Sequence, residues 1–189
     1  MEDITQTRLR RAQSISGTSK GRPEFEFYPT PRNAVEALLA VEQFPGLVWE
    51  PACGDGAICK VLEDTGHTVV ATDLIDRGYG EGGCDFFSEF RAVDHIITNP
   101  PYKLAEKFVR HSLTQANGKV AMLLKLQFLE GVKRKALFEK FPPKTVYVFT
   151  YRLKMNRDGE DKPESTSMLA FAWFVWEVGN LDQPIIRWL

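Results

Sequence analysis

Histidine and cysteine are scarce in this chain: three of each in 189 residues. The cysteines, Cys53, Cys59 and Cys84, are odd in number, form no CxxC pair and have no histidine cluster beside them. That pattern excludes a disulfide framework and a structural zinc site, and no metal is expected in the chemistry. Long apolar runs are missing too. The longest, 168–176, is strand-sized and far short of the ~20 residues of a membrane helix. Nothing before residue 30 is apolar enough for a signal peptide. These absences fit the reducing cytoplasm and no membrane. With 43% apolar and 26% charged residues, the composition is that of an ordinary globule rather than a disordered chain.

Net charge is only −1, but it is unevenly spread. Residues 1–23 carry +3 and residues 131–157 carry +7, leaving −11 on the rest. Two basic patches can therefore attract a polyanion on an otherwise acidic chain; a solvated tail and helix face would read the same way. Residues 1–24 are polar and aperiodic, as in a flexible basic arm. Residues 25–189 are long enough for a single domain with one core.

Along that stretch, helical and extended patterns alternate. Thr30-Pro31 reads as an N-cap and first helical residue, opening a helix to about residue 43. Strands are expected at 47–50, 68–72, 84–87, 93–98, 120–126, 146–152 and 168–177. Further helices are expected near 57–65, 104–115 (closed by Asn117-Gly118) and 132–140. The alternation implies an α/β fold with a mainly parallel sheet and helices on both faces.

In such sheets ligands bind beyond the carboxyl ends of the strands, and four of those ends carry unusual residues. After the first strand comes Glu50-Pro51-Ala52-Cys53-Gly54-Asp55-Gly56, where Gly54 and Gly56 permit a sharp turn and a close ligand approach. A plain βα turn has the same form. The dinucleotide fingerprint fails at Cys59 and there is no Walker lysine. Asp73-Leu74 ends the second strand, where a carboxylate can accept from ribose hydroxyls or cap a turn. Asp85-Phe86 pairs a carboxylate with an aromatic ring. Asn99-Pro100-Pro101-Tyr102 is the most telling of the four. Its prolines remove two donors and leave carbonyls. The Asn side chain and a neighbouring carbonyl can accept both hydrogens of a planar amine, and Tyr102 can stack on its ring.

With Tyr28-Pro29-Thr30-Pro31 placed ahead of them, these motifs occur in the order found in S-adenosylmethionine-dependent amino methyltransferases. The chain most resembles the small stand-alone, phage- or prophage-type DNA N6-adenine methyltransferases, over about residues 25–176. The resemblance implies a class I methyltransferase (Rossmann-like) fold, seven-stranded, with the last strand antiparallel. It also implies methyl transfer from S-adenosylmethionine to the N6 amine of adenine in DNA. Tyr28, Thr30, Glu50, Ala52, Cys53, Gly54, Gly56, Asp73, Leu74, Asp85, Phe86 and Asn99 would then contact the cofactor. Asn99, Pro100, Pro101 and Tyr102 would hold the acceptor base. The family's separate target-recognition domain has no counterpart here, so a short or relaxed target context is expected. Nucleic-acid contacts fall to Lys133, Arg134, Lys135, Arg152, Lys154 and Arg157. Three other readings stay open: RNA adenine methylation, methylation of a protein glutamine, and a non-catalytic cofactor-binding subunit.

Overall fold

Short β-branched and aromatic runs fold against amphipathic helices to give one continuous sheet. The computed structural model describes residues 27–155 and 169–189. Among them are four α-helices: α1 (Arg32–Leu39), α2 (Ala57–Asp64), α3 (Ala105–Gln115) and α4 (Val132–Lys140). Seven strands accompany them: β1 (Leu47–Glu50), β2 (Thr68–Ala71), β3 (Val93–Thr98), β4 (Ala116–Lys125), β5 (Thr145–Val148), β6 (Phe171–Glu177) and β7 (Ile185–Trp188). The sheet order is β2-β1-β3-β4-β6-β5-β7. Strands β1 to β4 pair in parallel, β6 runs antiparallel to both β4 and β5, and β7 is parallel to β5.

Both faces of the sheet are covered, because alternate residues of each strand point to opposite sides. Val48, Ile97, Leu123 and Trp173 pack with Ala34, Leu38, Ile58 and Leu62 of α1 and α2. Trp49, Ile96, Met122 and Phe174 pack with Phe108 and Val109 of α3 and Leu137 of α4. Trp173 also donates its indole N–H to the Ala34 carbonyl at 2.8 Å, tying β6 to α1.

Four local expectations change. Residues 84–87 form no strand: the Asp85 carboxylate accepts the Phe87 N–H at 3.0 Å and the Asp85 carbonyl accepts the Ser88 N–H at 2.9 Å. That Asx-type turn outcompetes a ladder. The seventh strand is instead Ile185–Trp188, and the expected antiparallel strand is β6. Helix α1 stops at Leu39, and Pro31 rather than Thr30 is its N-cap residue. Finally, β4 starts at Ala116, directly after α3. Asn117-Gly118 lies inside it, at a register shift where a Cβ on Gly118 would come within 2.7 Å of the His95 ring.

Candidate functional site

The strand order reverses direction between β1 and β3, and that switch point opens a crevice at the carboxyl ends of the parallel strands. A cleft of about 620 Å³ occupies it, within the range of a cofactor-sized site. The segments after β1, β2, β3 and β4 all line the cleft, joined by 27–30 and 84–87.

The loop after β1 turns on two left-handed glycines, Gly54 (φ +57°) and Gly56 (φ +80°), the second being the N-cap of α2. A Cβ on Gly54 would lie 2.2 Å from the Phe27 ring, so the close approach as well as the angle requires glycine there. Phe27 in turn lies under the Arg77 guanidinium, 4.6 Å from its centroid. Asp73 ties this loop to the next: one carboxylate oxygen accepts the Gly54 N–H and the other the Ile75 N–H, each at 2.8 Å. The carboxylate therefore has a structural role, and each oxygen keeps a second lone pair for a ligand hydroxyl.

Glu50 is 2% exposed yet borders the cleft. Its Oε2 accepts from the Cys59 thiol at 2.9 Å. Burial pushes its carboxyl up to about 8, and the neighbouring charge of Asp73 adds to the rise. Burial likewise lifts the thiol of Cys53 to about 12 and raises that of Cys59 in α2, so neither cysteine behaves as a thiolate nucleophile.

On the opposite wall, the prolines after β3 lead into a 3₁₀ turn at Tyr102–Leu104. The Asn99 side-chain nitrogen donates to the Tyr28 carbonyl at 3.2 Å and to the Thr30 hydroxyl at 3.1 Å. Its Oδ1 is buried and, among the described residues, meets no donor in hydrogen-bonding geometry; the same holds for the buried Tyr102 hydroxyl beside it. Burial holds that hydroxyl above the ordinary tyrosine range, and the adjacent Asn99 side chain opposes part of the rise. The Lys125 ammonium lies 4.8 Å from the Tyr102 ring centroid.

The expected residues thus fall on one cleft: Tyr28, Thr30, Glu50, Ala52, Cys53, Asp73, Leu74, Asp85, Phe86 and all of Asn99–Pro100–Pro101–Tyr102 line it. Gly54 and Gly56 are not themselves lining residues; they turn the loop whose Cys53, Asp55 and Ala57 are. Phe86 is mostly core, 2% exposed and stacked on Phe108 at 4.8 Å, whereas Phe87 beside it is 37% exposed and also lines the cleft. Phe27, Phe87 and Lys125 went unnoticed in the sequence. A lysine ending the apolar run of β4 was the available signal for one of them. Of the expected nucleic-acid contacts, Lys133, Lys135, Arg152 and Lys154 are not lining residues of the cleft. Lys133, Lys135, Arg152 and Lys154 are exposed, with Lys135 paired to Glu139. Arg134 reaches the cleft but is committed to the Glu130 and Gln127 carbonyls, and Arg157 lies outside the described residues. Among the described residues, no cluster of His, Cys, Asp or Glu could hold a metal, and no helix is long and apolar enough to cross a membrane.

No protein-family model matches the chain, and no curated protein matches it. Solved structures do. A Pyrococcus horikoshii protein described as an RNA methyltransferase superposes with a TM-score of 0.61 at 16% identity, over 91% of this chain and 98% of its own. A Listeria monocytogenes protein described as a class I S-adenosylmethionine-dependent methyltransferase gives 0.56 at 14% identity, over 100% and 74%. The fold is that of the class I, Rossmann-like methyltransferases. A Vibrio vulnificus protein described as a modification subunit of a type I restriction enzyme shares it, with a TM-score of 0.58 at 14% identity over 95% of this chain. The chain spans about half of that subunit, 49% of its length.

Proposed function

We propose that this protein is an S-adenosylmethionine-dependent methyltransferase whose acceptor is the N6 amine of adenine in DNA, with a short or relaxed sequence context. The observation that carries the reading is the Asn99 Oδ1: a buried acceptor with no partner among the described residues, in the wall of a cofactor-sized cleft. A buried unpaired acceptor is costly unless a ligand donor meets it.

The residues fit the cofactor. The glycine loop admits close approach, Asp73 has lone pairs left for a ribose diol, and Glu50 is a buried carboxyl that a cationic ligand would hold ionised. When bound, S-adenosylmethionine supplies an electrophilic methyl on a sulfonium. Asn99 Oδ1 and the Pro100 carbonyl accept the two hydrogens of the amine, drawing its lone pair out of conjugation. Tyr102 supports the ring of the base, which must first leave a duplex stack at a cost of a few kcal/mol. Positioning carries most of the rate. No strong base is required, because the methylated ammonium is itself acidic. His95 is structural: it accepts the Lys119 N–H through Nδ1 and is hydrogen-bonded to the Pro45 carbonyl through Nε2.

The test is incubation with labelled methyl donor and duplex DNA, single-stranded DNA, RNA or protein extract. Label recovered as N6-methyladenine from DNA is the expected outcome, and label confined to RNA or protein would replace this reading. Asn99→Ala should abolish transfer while calorimetry with S-adenosylhomocysteine still detects binding. Loss of cofactor binding in a folded variant would remove Asn99 from the acceptor side.

A further inference from the structure

The amide of Asn99 has two faces that differ only in where nitrogen and oxygen sit, and its last torsion is intrinsically soft. Its orientation is set from 69 and 71 residues away in sequence. The Tyr28 carbonyl is solely an acceptor, so the atom 3.2 Å from it must be the amide nitrogen. Turned over, two oxygens would oppose each other at that distance. Thr30, only 6% exposed, takes the second N–H through its hydroxyl at 3.1 Å. Both N–H groups are thereby used, and Oδ1 is the atom left over among the described residues.

The segment supplying these two acceptors is stiff by composition. Tyr28 and Thr30 each precede a proline, which biases both toward extended backbone, while Pro29 and Pro31 fix their own φ. Pro31 is the N-cap residue of α1, so the segment is anchored to a helix that is itself buried against β6 through Ala34 and Trp173.

We propose that residues 28–30 are an orienting clamp for the acceptor site, with Thr30 as a positioning residue that acts through Asn99. The proposal rests on the amino-acceptor reading above and gives Thr30 a task other than touching the cofactor. By consuming both amide hydrogens, the clamp makes Asn99 purely an acceptor toward the substrate. An exocyclic amine is welcomed; a ring carbonyl at the same place would meet lone pair against lone pair. The clamp thus selects amino bases over keto bases.

Thr30→Val keeps the shape and removes the acceptor; Thr30→Ser keeps the acceptor; Thr30→Ala serves if the valine does not fold. Two readouts apply. In ligand-free protein, the Asn99 side-chain NH₂ resonance, assigned by its loss in Asn99→Asp, should exchange slowly with water in wild type and Thr30→Ser. It should exchange about fivefold faster or more in Thr30→Val, the worth of one neutral hydrogen bond. At saturating DNA and cofactor, kcat should fall about fivefold to tenfold in Thr30→Val. Serine should restore it, and the S-adenosylhomocysteine dissociation constant should stay within about twofold, since the lost bond does not touch the cofactor. A wild-type amide that exchanges as fast as an exposed one overturns the clamp. So does a valine variant that loses cofactor affinity at unchanged kcat. If wild type methylates no adenine at all, the proposed reaction fails, while the exchange measurement still decides the clamp.

Discussion

Glu50 carries a carboxyl whose folded-state value is about 8 against an ordinary 4.5. The folded protein therefore holds this proton more tightly than the unfolded chain does. Stability from this group is complete below pH 4.5 and is lost as pH rises towards 8, by at most about 1.4 kcal/mol per pH unit. Glu50→Gln, which cannot ionise, should raise the melting temperature at pH 9 and leave it nearly unchanged at pH 4.5. Thermal melts at the two pH values check this, and an equal shift at both would show that ionisation is not the cause. Asp73 is a contrasting case, because its two oxygens already serve the Gly54 and Ile75 amides. Asp73→Ala should weaken S-adenosylhomocysteine by about 1.5–3 kcal/mol, as for a lost charged acceptor, and also lower the melting temperature through two unpaired donors. Calorimetry and melting measured together separate the effects.

At the scale of elements, α4 divides into a structural and a solvent-facing share. The Arg134 side chain bonds the Glu130 and Gln127 carbonyls and lies 5.1 Å from the Phe128 ring centroid, closing the turn that enters the helix. Lys133 is exposed and has no such tie among the described residues, and the Lys135 pair with Glu139 is exposed on both sides. Arg134→Ala should therefore lower the melting temperature, whereas Lys133→Ala and Lys135→Ala should not, since exposed ion pairs contribute little. Equal melting of all three would contradict this division. What the sequence revealed of these elements follows the strength of the local signal. Strands such as β3 and β6 announce themselves by apolar, β-branched and aromatic runs and appear close to their expected bounds. Residues 84–87 look extended by composition, but Asp85 takes the local amide. Ile185–Trp188 is too short, after Asp182-Gln183-Pro184, to be distinguished from a tail; it exists because β5 offers it an edge. In the site, Glu50, Asp73 and Asn99 were legible because each lies at or just beyond the end of a strand. The partnership of Asn99 with Thr30 was not, since Thr30 looked like a helix cap and nothing local connects residues 69 apart.

Across the whole molecule, the acidic body and the basic 131–157 segment form an uneven field rather than a cationic coat. Under the proposed function, DNA binding should weaken steeply with salt. The double variant of Lys133 and Lys135 to alanine, which leaves the structurally tied Arg134 in place, should reduce affinity for all sequences alike and flatten the salt slope, because phosphate contacts position without reading sequence. Sequencing the methylated adenines of treated DNA checks the relaxed context, and a strict site of four or more bases would refute it. The sheet order carries one more consequence, for how the chain is made. Strand β6 lies between β4 and β5 although both precede it in sequence. A ribosome therefore delivers Asn99 and its cleft while the apolar edge of β4 still waits for its partner. At 5–20 residues per second, the stretch from 125 to 177 takes on the order of 3–10 s to synthesise. Throughout that interval the β4 edge is unpaired, joined by the β5 edge once residue 148 is made, so chains arrested before residue 171 should be protease-sensitive and chaperone-bound, and those released past 177 should become resistant.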